Sequence, residues 1–537
     1  MPLFHKVIAD NANAYPSKSA IVLDGVATSY RVLQQQADDI ASILPTLGIA
    51  PGDRVGLYSA ISVQLVAAYL GILQAGAVTA AIHHTLSRAR LIHQLKHSGA
   101  RLLITDCTDD LPGLIKAVGL EWVLLTTPSA VLPPQVIQMS DALSRPSQKA
   151  ATRHPPLIED PERSTSIFYT SGSSFNPKGV LVNHRIMLAA SRQVTAYQQN
   201  TPDDRVLSYS TLASDYGVYN VMMPLVVGAT SVIESQPATT AEDILAVVER
   251  EEVTAVHVFP PLFFLLANTG PHWDARVPSL RYISSSGQAL YTRHIQKIRQ
   301  ALPRVRIFSN YGLTECKRVS YLPPEELDQR PASVGKPLPG VCLYLVDERG
   351  RAIDQPGEVG ELLVTSDYLM LEYWNMPEAN AMAFLHNAFG HPRLFRTGDL
   401  FKRDAQGYLY FVARKDDVFA RNIWKVNPRE IEQCLASHPA VAEVLVVPVA
   451  DESAGHVPKA YVVLETDHIQ TIEQSLRDHC IAQLDWHMVP AYKGERALAV
   501  QLRDRRRDVV DAQCTLSEPP GCLAHSTFSR TGRRAGY

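Results

Sequence analysis

The 537-residue sequence has no surplus of charge of either sign, its formal net charge being −3. It therefore carries no electrostatic footprint of a polyanion partner, and no nucleic acid binding is expected. Its seven cysteines (107, 316, 342, 434, 480, 514 and 522) form no CxxC pair and no His/Cys cluster. That argues against a disulfide framework and a structural zinc site, and it fits a reduced, cytoplasmic setting. The N-terminus, MPLFHKVIADNANAYP, lacks an apolar core followed by a small-residue cleavage site. No window reaches about 18 uninterrupted apolar residues, so no membrane span is expected. The most apolar stretch, VQLVAAYLGILQAGAVTAAI (63–82), is broken by Gly71, Gln74 and Gly76 and reads as a buried helix followed by a strand. No internal repeat is visible.

What is present is alternation. Apolar, β-branched runs (AIVL 20–23, RVGLYS 54–59, RLLITD 101–106, WVLLTT 122–127, then SIFYT, TSVIES, AVHVFP and RYISSS) are followed by helical patterns such as SRARLIHQLKHSG (87–99) and YTRHIQKIRQALP (291–303). Strand–helix alternation over a chain too long for one core predicts an α/β protein of at least two domains with largely parallel sheets. Past Pro337 short strand-like runs separated by Gly turns (VCLYLVDERG, GEVGELLVTS, GYLYFVARKDD) predict a β-rich section, and residues from about 430 to 495 read as a small α+β domain.

Chemistry enters with YTSGSSFNPKGV (169–180), behind the strand-like SIFY. Consecutive small residues let backbone N–H groups converge on an anion, hydroxyls add donors and Lys178 adds charge. It is not a Walker A loop, since Pro177 precedes the Lys and Gly179 follows it. Alone, it reads equally well as a Ser/Gly surface turn. NYGLTE (310–315) follows VRIFS, so Tyr311 and Glu315 leave a strand end together, a ring suited to stacking on a purine and a carboxylate suited to Mg²⁺. In LFRTGDL (394–400), Asp399 stands just after a Gly turn, where it could accept from ribose hydroxyls; a plain surface turn is the alternative.

Together TSGSSFNPKG, NYGLTE, GEVGELLV, RTGDL and ARKDD, in this order, resemble the adenylate-forming (AMP-binding) superfamily, which includes acyl-CoA synthetases, luciferases and the adenylation domains of nonribosomal peptide synthetases. With LGIAPGDRVGLYS (47–59) and LQAGAV (73–78) the resemblance covers roughly residues 10 to 493. It implies a large N-terminal AMP-binding domain (1–413), a small mobile C-terminal domain (414–495) rotating about a hinge near Asp416, and a tail (496–537) outside the pattern. It also implies ATP-dependent activation of a carboxylic acid as acyl-adenylate, with pyrophosphate release and Mg²⁺, then transfer to CoA, to a phosphopantetheine-bearing acyl- or peptidyl-carrier protein, or to an amine. On this reading Thr170, Ser171, Gly172, Ser173, Ser174 and Lys178 embrace the β- and γ-phosphates. Ser286, Gly287 and Gln288 of SSSGQAL form the adenine wall, and Tyr311, between Asn310 and Gly312, covers the other face. Thr314 touches the α-phosphate, Glu315 ligates the metal, and Asp399 and Arg414 grip the ribose; Thr314, Glu315 and Lys178 are the catalytic set.

The acid pocket falls in STLASDYGVYNVMMPLVVGAT (210–230), with Asp215, Tyr216 and Tyr219 as lining residues. Asp215 stands where amino-acid-activating members hold the substrate ammonium; the alternative is that it caps a helix beginning near Tyr216. DYG before an apolar helix and the absence of a carrier or condensation domain in these residues resemble stand-alone acyl-acid ligases of secondary metabolism. Amino-acid adenylation is the alternative, and a degenerate, slow homologue a further one. The last is raised by Phe175, Ile423 and a missing Lys, among four departures from the usual pattern. Phe175 replaces a usual Gly. In VFARNIWKVNPREIE, Ala420 replaces a usual Lys and Ile423 a Gly bordering the thiol tunnel. After MVPAYK (488–493) no Gly-Lys pair follows, SRTGRR with Arg533 being only faintly similar. The abrupt Arg-rich text after Lys493 suggests a frameshifted reading, with a divergent tail as the alternative.

Overall fold

The computed structural model describes residues 1–129, 132–144, 159–170, 177–287, 290–421, 424–451, 455–464, 472–490 and 498–502. Two compact units divide in sequence between Phe411 and Val412.

In the large unit, one sheet runs in the order Glu372–Tyr373, Gly179–Asn183, Ser164–Tyr169, Val78–Ala81, Arg54–Tyr58, Ala100–Thr105, Trp122–Leu125, Val136–Gln138. It is parallel from Ser164–Tyr169 onward, and the first two strands add antiparallel. A second sheet runs Lys336–Pro337, Ser320–Leu322, Arg306–Tyr311, Tyr282–Ser285, Ala255–Val258, Arg205–Ser208, Thr230–Ile233, Ser19–Leu23, Val26–Ser29. Its interior, from Arg306–Tyr311 to Ser19–Leu23, is parallel. Parallel strands are covered by helices on both faces, so they are buried along their length rather than on alternate residues; Val78–Ala81, Ala255–Val258 and Thr230–Ile233 are buried at every position. A third, antiparallel sheet orders Cys342–Val346, Val359–Thr365, His391–Arg403 and Phe384–Ala388, the β-rich section read from the Gly-punctuated sequence.

The 63–82 stretch forms helix Val63–Gln74 and strand Val78–Ala81. Ser62 caps the helix, accepting from the Leu65 N–H at 3.1 Å. Gly71 lets this helix lie against Tyr30–Ile43: a Cβ there would fall 2.7 Å from the Ala37 carbonyl oxygen. No helix among the described residues is long and apolar enough to cross a membrane.

The small unit has strands Trp424–Val426, Phe419–Arg421, Gly455–Leu464 and Val441–Asp451 in that order, with helices Pro428–Ser437 and Ile472–Gln483. Its core gathers Val426, Ile431, Leu435, Val441, Val462 and Leu476. Strand Leu498–Leu502 joins Gly455–Leu464 in parallel, so this sheet continues past residue 495.

Candidate active site

Strand Arg306–Tyr311 delivers NYGLTE at its C-terminal end, the end at which open parallel sheets bind ligands. The chain then makes a 3₁₀ turn, Thr314–Cys316, and returns antiparallel as Ser320–Leu322. The turn is so tight that a Cβ on Gly312 would lie 2.1 Å from the Lys317 carbonyl oxygen. Only glycine fits, and the close approach folds Lys317 and Arg318 inward, 6% and 3% exposed.

Four of the residues anticipated at the nucleotide lie on two neighbouring strand ends. Asn310 donates to the Ser285 carbonyl at 2.8 Å and to Ser284 Oγ at 3.1 Å, and its Oδ1 accepts from the Tyr197 hydroxyl at 2.9 Å. This ties strand Arg306–Tyr311 to Tyr282–Ser285, after which come buried Ser286 and exposed Gly287, the latter with φ +106°. The Tyr311 hydroxyl donates to Asp399 Oδ2 at 2.5 Å, and its ring packs edge-on against Phe401. Asp399, in His391–Arg403, is 1% exposed. Two positions 88 residues apart in sequence are thus joined directly.

The phosphate-loop reading gains a partner that the sequence did not indicate. The Thr170 N–H donates to the Lys178 carbonyl at 3.0 Å, closing the loop at its base. Lys178 Nζ sits 4.8 Å from the centre of the Tyr373 ring, and the Tyr373 hydroxyl donates to Glu315 Oε1 at 2.7 Å. Tyr373 lies in a two-residue strand whose register places it opposite Val180. One tyrosine therefore brings the lysine of the loop and the carboxylate of NYGLTE to the same place.

At the proposed acid pocket, helix Asp215–Val226 starts at Asp215 itself. Its cap is Ser214, whose side chain accepts from the Gly217 N–H at 3.2 Å, so the capping alternative for Asp215 does not hold. Instead Asp215 Oδ1 accepts from the Thr314 hydroxyl at 2.8 Å, and Oδ2 lies 3.7 Å from Lys317 Nζ. The Lys317 ammonium also lies 4.5 Å and 5.1 Å from the ring centres of Tyr219 and Tyr216. Burial lowers the Lys317 pKa to about 8, against the upward pull of Asp215. Burial, aided by Arg318 and Lys317, lowers His257 to about 3, leaving a neutral imidazole that shares a 3.0 Å hydrogen bond with Asn220 Oδ1.

Ser171, Gly172, Ser173, Ser174, Phe175, Gln288, Ile423 and Arg533 lie outside the described residues. Asp399 belongs to the large unit and Arg414 to the small one, where it ends strand Leu409–Arg414, exposed; Asp416 follows in an exposed turn. In the small unit Ala420 pairs with Lys425 across the hairpin, both exposed, whereas Arg421 is occupied by the His487 and Val489 carbonyls at 2.9 and 3.2 Å. The functional candidates that sequence reasoning missed are Tyr373, Lys317 and Arg318. None of the three carried a local signal, since a basic pair after a turn reads as a solvated surface and Tyr373 owes its place to a non-local strand pairing.

The AMP-binding enzyme family model matches residues 8–374, and the model of the AMP-binding enzyme C-terminal domain matches residues 430–494. Chondramide synthase cmdD of Chondromyces crocatus is 29% identical over 93% of this chain, which spans only 13% of that protein's length. The crystal structure of the anthranilate CoA ligase AuaEII in complex with anthranoyl-AMP is 25% identical, with a TM-score of 0.79 over 93% of both chains. The o-succinylbenzoate CoA synthetase MenE of Bacillus subtilis, in complex with ATP and magnesium ion, shares the fold at 24% identity and a TM-score of 0.77, over 93% of this chain and 96% of its own. With both domain models matched in order, the chain belongs to the AMP-binding enzyme family of adenylate-forming ligases.

Proposed function

We propose that this chain uses ATP to activate a non-amino carboxylic acid as its acyl-adenylate, with release of pyrophosphate, and passes the acyl group to a thiol or an amine. The observation that carries the reading is the Lys178–Tyr373–Glu315 arrangement, which sets a cation and a carboxylate side by side at strand ends. The reaction joins two anions, so its barrier is largely electrostatic.

Lys178, Thr170 and residues 171–174 hold the β- and γ-phosphates, and Thr314 reaches the α-phosphate. Tyr311 stacks on adenine opposite Ser286, Gly287 and Gln288. Asp399, its carboxylate fixed by the Tyr311 hydroxyl, accepts from the ribose, with Arg414 of the small unit as a second contact. Glu315 suits Mg²⁺, because it is a half-buried carboxylate in no ion pair among the described residues and that ion completes its shell with phosphate oxygens and water. When bound, Mg²⁺ neutralises phosphate charge. Asp416, in its exposed turn, is the hinge, and Lys425, beside Ala420, replaces the charge lost there.

The non-amino substrate is supported by Asp215. The ammonium that an amino acid would present to this carboxylate is already supplied by Lys317. The acceptor is CoA, a phosphopantetheine-bearing carrier protein or an amine, in secondary metabolism. An ATP–pyrophosphate exchange assay over carboxylic and amino acids tests the reading. Exchange with amino acids alone would replace it by amino-acid adenylation, and ATP binding without exchange by the degenerate homologue.

A further inference from the structure

We propose that Arg318, together with Lys317, reads a second anionic group on the substrate, so that the acid activated here is a dicarboxylate or carries an equivalent planar oxyanion. This rests on the acid-activating reading above and narrows its substrate class.

Two cations are turned inward by the Gly312 turn, and one carboxylate meets them. Asp215 pairs with Lys317 and is held on its other oxygen by Thr314. Arg318, 3% exposed, has neither a salt bridge nor, at its buried Nε and Nη1, a hydrogen-bond acceptor among the described residues. The groups that feel its charge include Tyr197, Tyr216, His257 and Tyr368, besides Lys317. None of these can neutralise it: the tyrosines are phenols and His257 is held uncharged. The cluster therefore carries an excess positive charge in a region that excludes water.

A buried guanidinium without a counter-charge is strongly unfavourable, and folds avoid it unless a ligand completes the site. Tyr216 ties the cluster to the acid pocket, since the Lys317 ammonium packs on its ring and the Arg318 charge reaches it. The planar fork of arginine fits a carboxylate through two parallel hydrogen bonds, which a point charge cannot reproduce. The arrangement thus selects the end of the acid that does not react.

The test uses the full chain and ATP–pyrophosphate exchange with length-matched pairs: hexanoate against adipate, and benzoate against isophthalate and terephthalate. The diacid of at least one pair is expected to exceed its monoacid in kcat/KM by about 10⁴-fold, as for a site whose buried polar groups are left unpaired by the wrong substrate. Arg318→Leu should collapse that ratio to about one, and Arg318→Lys should keep a reduced preference of about tenfold. If Arg318→Leu does not fold, the wild-type ratio and Arg318→Lys decide. Monoacids exchanged as well as diacids throughout, or a ratio untouched by Arg318→Leu, would overturn the proposal while leaving acid activation standing. Absence of exchange with these acids and with every acid of a wider carboxylic-acid panel would remove the acid-activating reading itself.

Discussion

Removing the Asp215 carboxylate exposes how the pocket is balanced. In Asp215→Ala the Lys317 ammonium, whose side chain is 3% exposed, loses its counter-ion while Arg318 stays beside it, and the Thr314 hydroxyl loses its acceptor. Breaking a buried ion pair from one side costs about 3–5 kcal/mol, because the remaining charge is stranded. At about 2.1 cal/mol/K per residue, unfolding of the Met1–Phe411 unit moves by about 1 °C per kcal/mol, so the transition should drop by about 3–6 °C. Adding Lys317→Met removes the stranded charge and fills the space with a flexible apolar chain, which should return most of the loss. Calorimetry on wild type, both single variants and the double variant closes the cycle, with an expected coupling of about 2–3 kcal/mol. A drop below about 1 °C in Asp215→Ala, or strict additivity in the double variant, would refute the ion-pair account.

Glu315→Gln should cut Mg²⁺-dependent exchange by about 100-fold or more, with a melting transition within about 1 °C of wild type; normal exchange in the variant would remove Glu315 as metal ligand. Gly312→Ala should cost about 3 kcal/mol and depress exchange, since its Cβ would strike the Lys317 carbonyl; an unchanged melting curve would show that the turn yields freely. Acid should destabilise the fold through buried neutral histidines. Burial depresses His184 and His257 to about 3 and His294 to about 4, below the ordinary 6.5. Unfolding therefore takes up protons below pH 6.5; the stability present above that value is lost as pH falls towards 4, by about 1.4 kcal/mol per pH unit for each group. His257→Gln should flatten the dependence of melting temperature on pH by that amount, and an unchanged slope would contradict it.

The parallel sheets were legible because strands covered on both faces leave mostly apolar runs with no polar alternation, as at 20–23 and 122–125. The β-rich section was legible through its Gly turns, and helix Val63–Gln74 through its length and flanks. The site was only partly legible. Motifs at strand ends singled out Tyr311, Glu315 and Asp399 as candidates, but the Tyr311–Asp399 hydrogen bond spans 88 residues and no local pattern encodes it. Tyr373 owes its position to pairing with the strand that follows the phosphate loop, a non-local register. Asp215 was ambiguous because a carboxylate at a helix start serves equally as cap or ligand; Ser214, one residue earlier, settled the matter by taking the cap. Lys317 and Arg318 look like surface residues in one dimension, and only the Gly312 turn buries them. Past Lys493 the sequence lost its pattern, yet Leu498–Leu502 still adds a strand, since a short parallel edge needs little sequence signal.

Activation of a carboxylic acid with ATP is measured by acid-dependent exchange of labelled pyrophosphate into ATP. Exchange is expected to require Mg²⁺ and a non-amino carboxylic acid and to fall away in Glu315→Gln. ATP binding with no exchange for any carboxylic acid, in the presence of Mg²⁺, would contradict it.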